Sequence, residues 1–201
     1  MQEIRTRYPK YDVLKEQEHW DEHTREIVKK RLGPFPKNNF LSDHEADMIL
    51  SIAMHIVYDN RKDILDYVVH HMDTTISSPI GEDQRKVGTP EQKTLIRQGL
   101  KAIDKLAQQQ YNASFLEIDP NQQLSLLEDL QKGKAQQLKD WQQIPQKELF
   151  KKLATNIVSA YYSHPIVWSE IGYGGPAYPR GYVRVEKGLT DPWEAKRDDK
   201  E

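Results

Sequence analysis

Apolar residues recur at intervals of three and four through most of the chain, which is the spacing of one face of an α-helix. Turn-forming and capping residues divide this pattern into separate segments. Strand-like alternation is almost absent, apart from a short run at 182–185. The pattern predicts an all-α fold, a single helical domain of about six helices, at residues 11–32, 43–58, 63–75, 90–111, 120–132 and 145–162.

Local signals fix several of these helix ends. Ser42 and Glu45 have the spacing of a capping box, in which the serine oxygen and the glutamate carboxylate satisfy early backbone N–H groups. Asp119 precedes a proline at the first helical position, and Gly133 closes the same helix. Gly99 lies inside the fourth predicted helix and indicates a close helix crossing. Residues 77–88 are polar and predict an exposed loop.

The first predicted helix, at residues 11–32, is mostly polar. Its thin apolar stripe consists of Leu14, Trp20, Ile27 and Val28. Such a stripe is too narrow for a core position, so we expect this helix to lie across the surface of its own domain or of a partner.

The stretch that begins at His164 differs from the rest of the chain. Five of the ten glycines and four of the eleven prolines lie between His164 and Trp193. This density predicts an irregular backbone without a helix. Fixing an irregular backbone costs conformational entropy. Burial of the large aromatic residues in this stretch would offset that cost, so we expect them to be buried. We therefore divide the chain into an N-terminal arm (1–36), a helical core (37–163) and a C-terminal wrap with its tail (164–201).

Candidate catalytic chemistry is sparse. His19, Glu22 and His23 match the H-x-x-E-H pattern of zinc peptidases, although a solvated helix face would carry the same residues. His71 is expected to pack or hydrogen-bond between helices, and His164 to make a structural hydrogen bond. The sequence contains neither a G-x-G-x-x-G after a strand nor a G-x-S-x-G elbow.

Bulk composition excludes several classes. The 29 basic and 31 acidic residues give a net charge of -2, which argues against a nucleic-acid surface. The absence of cysteine excludes thiolate nucleophiles and cysteine-ligated clusters in this chain. No run of about 18 apolar residues exists, so we expect no membrane span.

The run Trp168-Ser-Glu-Ile-Gly172-Tyr-Gly-Gly-Pro-Ala-Tyr-Pro-Arg-Gly-Tyr182, with Asp191-Pro-Trp-Glu194, resembles the C-terminal signature of the gluconate 2-dehydrogenase subunit 3 family. The resemblance extends over residues 40–194. It departs from the family at the start, where members commonly carry a twin-arginine signal, and before Trp168, where a Gly/Asn-rich insert is shortened.

The resemblance implies a mostly helical, non-catalytic subunit that holds no cofactor itself. Its expected partner is a flavin-dependent dehydrogenase of the glucose-methanol-choline type, which would hold FAD and oxidise a sugar or polyol, and a cytochrome subunit is a further partner that the resemblance allows. The residues expected to face the partner or to lock the wrap are Trp168, Ile171, Tyr173, Tyr178, Arg180, Tyr182 and Trp193. Tyrosine, tryptophan and arginine are typical of interface hot spots.

Two other functions stay open on the residues alone. A homo-oligomeric helical scaffold would bury the wrap between identical chains, and a zinc-dependent hydrolase would use the His19, Glu22 and His23 pattern. Because no export signal is visible, we expect a cytoplasmic location, with export as the alternative if a leader was trimmed or the complex is exported otherwise.

Overall fold

The computed structural model of the chain describes residues 6–78, 86–136, 138–184, 186 and 188–196. The secondary structure in these ranges is helical, without a strand, which confirms the predicted all-α fold class. The α-helices are α1 (Glu22–Lys30), α2 (Asp43–Val57), α3 (Lys62–Ser77), α4 (Gln92–Tyr111), α5 (Pro120–Lys132), α6 (Gln146–Tyr161) and α7 (Pro165–Ile171), and 3-10 helices span Val13–His19 and Lys139–Gln142. Residues 79–85 of the predicted loop lie outside the described ranges.

Contacts group the described residues into two compact units. The first draws on Met1–Pro34 and Tyr161–Glu201, and the second is Phe35–Ala160. In the second unit, α4 packs against α2, α3, α5 and the Lys139–Gln142 helix. Its fully buried side chains include Met48, Ile49, Ile52, Ile64, Leu65, Met72, Ile96, Leu100, Ile103, Leu106 and Phe115.

The predicted start and stop signals at Ser42, Asp119 and Gly133 are confirmed, whereas α4 begins at Gln92 rather than at residue 90 and has no side-chain cap. Ser42 and Glu45 form the capping box of α2, and Asp119 with Gln122 forms that of α5. Gly133 ends α5 in the left-handed region at φ 69°. Asp73 of α3 is buried and accepts backbone N–H bonds from residues 39, 40 and 41 at 2.8–2.9 Å. This carboxylate fixes the approach to α2.

The predicted crossing at Gly99 is also confirmed. A Cβ placed on Gly99 would lie 2.6 Å from Cδ2 of Leu149, a fully buried residue of α6. The two helices therefore approach closely because this position has no side chain.

We expect Gly99→Ala to lower the free energy of unfolding by about 1–3 kcal/mol, because the added methyl overpacks the crossing. In most helices the same substitution raises the free energy of unfolding, since alanine inside a helix is favoured over glycine by about 1 kcal/mol. Urea denaturation of both proteins measures the difference. Leu149→Ala should cost less in the Gly99→Ala background than alone, and strictly additive effects in that cycle would contradict a direct contact.

Two predictions about the first unit are wrong in detail. The single helix predicted at residues 11–32 is divided into Val13–His19 and α1. The division occurs because Asp21 acts as an N-cap, its carboxylate accepting the Thr24 N–H at 2.8 Å. Asp12 caps the preceding 3-10 helix in the same way.

The second error concerns the stretch predicted to be without a helix. Residues Pro165–Ile171 form α7. His164 caps it, Pro165 occupies the first turn, and Gly172 ends it at φ 77°. Proline at the first helical position and glycine after the last are compatible with a helix of two turns. The described residues from 172 onward form neither helix nor strand, only turns, bends and irregular backbone.

No helix in the described ranges combines the length and the apolar character needed to cross a membrane.

Candidate functional site

Trp168 lies in the core of the first unit. Its side chain is 5% exposed and packs in a cluster with Val13, Trp20 and Val28. Its indole Nε1–H donates to the carbonyl oxygen of Tyr162 at 2.6 Å. The structure thus places this predicted site residue among those that hold the wrap against the arm.

An aromatic and a cationic side chain also contact the Trp168 ring. The Tyr173 ring meets it edge-on, with 5.4 Å between centroids. The Arg31 guanidinium carbon lies 5.1 Å from the ring centroid, and Nη1 of the same side chain donates to the Ser163 carbonyl at 2.7 Å. The arm and the wrap therefore share one core.

Arg180 and Trp193 hold another part of the wrap together. The guanidinium carbon of Arg180 lies 4.4 Å from the Trp193 ring centroid, and Nη2 donates to the carbonyl oxygens of Gly174 and Gly175. Burial lowers the pKa of this guanidinium, and the nearby Tyr11 phenol partly opposes that shift. Nε and Nη1 are buried, with no hydrogen-bond acceptor among the described residues. The side chain acts as a brace inside the wrap.

Asp191 fixes the end of the wrap and was not predicted as a site residue. Its buried carboxylate accepts the N–H groups of Val183 and Arg184 at 3.0 and 2.7 Å. Its own N–H donates to Glu194 Oε2 at 2.8 Å. The three-residue spacing of Asp191 and Glu194 is the same as in a capping box, and this signal could have identified it.

The other predicted site residues are exposed. Tyr178 and Tyr182 are 68% and 69% exposed, and Ile171 and Tyr173 are 49% and 38% exposed. Val183 and Leu189, which sequence reasoning passed over, are also exposed apolar residues of the wrap. The structure thus separates the seven predicted residues into a packed set, in which Trp168 is buried and Arg180 and Trp193 are half-buried, and an exposed set (Ile171, Tyr173, Tyr178, Tyr182).

The glycine-rich turn at 172–175 is packed against the chain's own aromatic rings. A Cβ on Gly172 would lie 2.5 Å from the Tyr8 ring, and one on Gly175 would lie 2.6 Å from the Trp20 ring. A phosphate-binding loop needs glycines so that a ligand can approach the backbone. Here the rings of Tyr8 and Trp20 occupy that space, so the residues present do not fit a dinucleotide.

The structure places the histidines that the sequence singled out as candidates. His164 is buried, and its Nδ1 accepts the Ile166 N–H at 3.3 Å, so the predicted structural hydrogen bond is confirmed. His19 ends one helix while Glu22 begins the next, so the zinc-peptidase pattern does not lie on one helix face. Within the described ranges no group of three histidine or acidic side chains is placed to hold a metal ion.

Tyr11 links the arm to the wrap through a bond that is sensitive to pH. Its hydroxyl donates to the Trp193 carbonyl at 2.6 Å. Burial raises the pKa of this phenol above its ordinary value of 10.0, and the Glu16 carboxylate raises it further. A pKa raised by folding contributes stability that is complete below the unfolded value and is lost as pH rises above it.

We therefore expect Tyr11→Phe to change the alkaline pH dependence of stability. At about pH 8 the variant should be less stable by about 1 kcal/mol, because it lacks the hydrogen bond. As the pH rises through about 10 to about 11, wild type should lose this advantage. Chemical denaturation across that range measures both proteins, and a difference that stays constant with pH would contradict the assigned role of Tyr11.

Comparison with known proteins gives one match. The model of the family described as gluconate 2-dehydrogenase subunit 3 matches residues 43–175. The matched range extends from α2 to the glycine-rich turn, so it includes Trp168, Ile171 and Tyr173 and ends before Tyr178. No curated protein and no solved structure matches the chain.

Proposed function

Because the chain belongs to the gluconate 2-dehydrogenase subunit 3 family, we propose that it is a non-catalytic subunit of a dehydrogenase complex. In this proposal it binds and stabilises a large subunit of the glucose-methanol-choline type. The large subunit holds FAD and oxidises a sugar or polyol, and this chain contributes no group to the hydride transfer.

The observation that carries the proposal, beside the family, is the contrast between the two sets of wrap residues. Tyr178 and Tyr182 are exposed, while the backbone around them is braced by Arg180 and Asp191. Large aromatic side chains on a fixed backbone lose little conformational entropy on binding, which favours their use as interface anchors. We infer that these tyrosines contact the large subunit.

Stabilisation of the partner would follow from mass action. A subunit that binds only the folded partner stabilises it by about 4 kcal/mol when its free concentration is about a thousandfold above the dissociation constant. This effect needs no chemistry in the small subunit.

Co-expression with a flavoprotein dehydrogenase encoded beside this gene tests the proposal. We expect the two chains to co-elute in size-exclusion chromatography, in a peak that absorbs at flavin wavelengths and oxidises a sugar or polyol. A colourless chain that elutes alone would overturn the assignment. Light scattering of that peak would then show whether the exposed tyrosines face a second copy of the chain, as in a homo-oligomeric scaffold.

A further inference from the structure

The arm and the wrap are tied together by bonds between residues far apart in sequence. Both belong to the first unit, and α7 packs against the Val13–His19 helix. Polar bonds reinforce this packing at four places along the arm. They join Thr6 Oγ1 to the Glu170 carbonyl at 2.6 Å, the Val13 N–H to Ser169 Oγ at 3.0 Å, Tyr11 to the Trp193 carbonyl at 2.6 Å, and Arg31 to the Ser163 carbonyl at 2.7 Å.

Two glycines of the wrap, Gly172 and Gly175, lie directly against aromatic rings of the arm. The rings of Tyr8 and Trp20 occupy the positions that side chains at Gly172 and Gly175 would need. Trp20 itself is buried, in the same cluster as Trp168. A close approach of ring to backbone therefore replaces ordinary side-chain packing at these two positions.

A chain of contacts leads from the arm to Arg180, which lies between the two exposed tyrosines in sequence. Tyr11 donates to the Trp193 carbonyl, and the Trp193 ring stacks on the guanidinium of Arg180. Arg180 lies between Tyr178 and Tyr182 in sequence and holds the backbone of the glycine-rich turn. The backbone segment that carries the tyrosines is thus connected to the arm through Trp193 and Arg180.

We propose that the arm is a clamp that sets the binding conformation of the wrap, so that binding of the dehydrogenase subunit is coupled to docking of residues 6–31. The coupling rests on the function proposed above, whereas the clamp itself does not. Without the docked arm, the tyrosines would sample many orientations, and binding would have to order them at a cost in entropy.

Hydrogen exchange of the isolated full chain tests the clamp with Gly175→Ala. The added methyl meets the Trp20 ring, so we expect amide exchange to rise by about tenfold or more both in the arm and in the wrap, through local opening. Gly181→Ala is the matched control, because φ is +72° there against +78° at Gly175 and nothing lies within 4 Å of its Cβ. Its exchange should rise near residue 181 alone.

Arm exchange that is the same in Gly175→Ala as in wild type would overturn the clamp. Should Gly175→Ala fail to fold, Tyr11→Phe replaces it, because this variant removes one hydrogen bond and adds no clash. We expect a smaller rise in exchange, about twofold to fivefold, in the same two segments.

Binding to the flavoprotein subunit tests the coupling. We expect Gly175→Ala to weaken binding by about tenfold or more, in proportion to the loosened arm. Equal affinity of wild type and variant, together with faster arm exchange, would overturn the coupling and leave the proposed function intact. Failure of wild type to bind any flavoprotein would overturn the proposed function and the coupling, while the exchange result would still decide the clamp.

Discussion

Replacing Trp168 with alanine is expected to lower the free energy of unfolding by about 3–5 kcal/mol, as for other tryptophans truncated in a core. The side chain is 5% exposed and touches the arm through Trp20 and Val28. The substitution leaves a cavity in this cluster and removes the donor from the Tyr162 carbonyl. Urea denaturation followed by circular dichroism measures the loss without relying on tryptophan emission.

A control on the same short helix shows whether the loss of stability comes from the burial of Trp168 or from any substitution in α7. Ile171 is 49% exposed at the end of α7, so Ile171→Ala should change stability by no more than about 0.5 kcal/mol. A Trp168→Ala variant with unchanged stability and weakened assembly would show that Trp168 faces the partner. That result would contradict the core position described above.

The parts of the fold that could be predicted are those with a local physical cause. The capping box at Ser42, the helix start at Asp119 and the left-handed Gly133 need only neighbouring backbone groups, so their sequence spacing identified them. Gly99 was predictable because a glycine inside a long amphipathic helix costs stability, and a close approach of a second helix offsets that cost. These signals do not depend on which elements later meet.

Errors arose where two local signals competed. The glycine and proline content after His164 indicated irregular backbone, but Pro165 at the first helical position and Gly172 after the last are also start and stop signals of a short helix. In the arm, loosely helical apolar spacing outweighed the capping potential of Asp21. A search for N-cap residues would have found Asp21, and the pairing of Pro165 with Gly172 would have found α7.

The division of the wrap into buried and exposed aromatics could not be predicted from the sequence. Trp168 and Tyr178 are both large aromatic residues within four positions of a proline and a glycine, and a short helix around Trp168 does not by itself say that its side chain is buried. Trp168 is buried because Trp20, about 150 residues earlier, packs against the same cluster. Such long-range contacts depend on the tertiary fold, which periodicity and spacing do not encode.

The second prediction with a large expected effect concerns the exposed tyrosines of the wrap. The double substitution Tyr178→Ala with Tyr182→Ala should weaken binding to the dehydrogenase subunit by about 2–4 kcal/mol, or roughly 30-fold to 1,000-fold in Kd. Stability of the isolated chain should change by no more than about 0.5 kcal/mol, because both side chains are more than two-thirds exposed. Titration of the purified flavoprotein with each protein measures the affinity.

Tyr58→Ala is the matched control, since this tyrosine is 80% exposed and belongs to the second unit. Unchanged affinity in the control and a large loss in the double variant would locate binding at the wrap, because loss of exposed aromatic surface alone would affect both. Unchanged affinity in the double variant would remove these tyrosines from the interface. If the double variant instead lost self-association in light scattering, the exposed aromatics would serve a contact between copies of this chain.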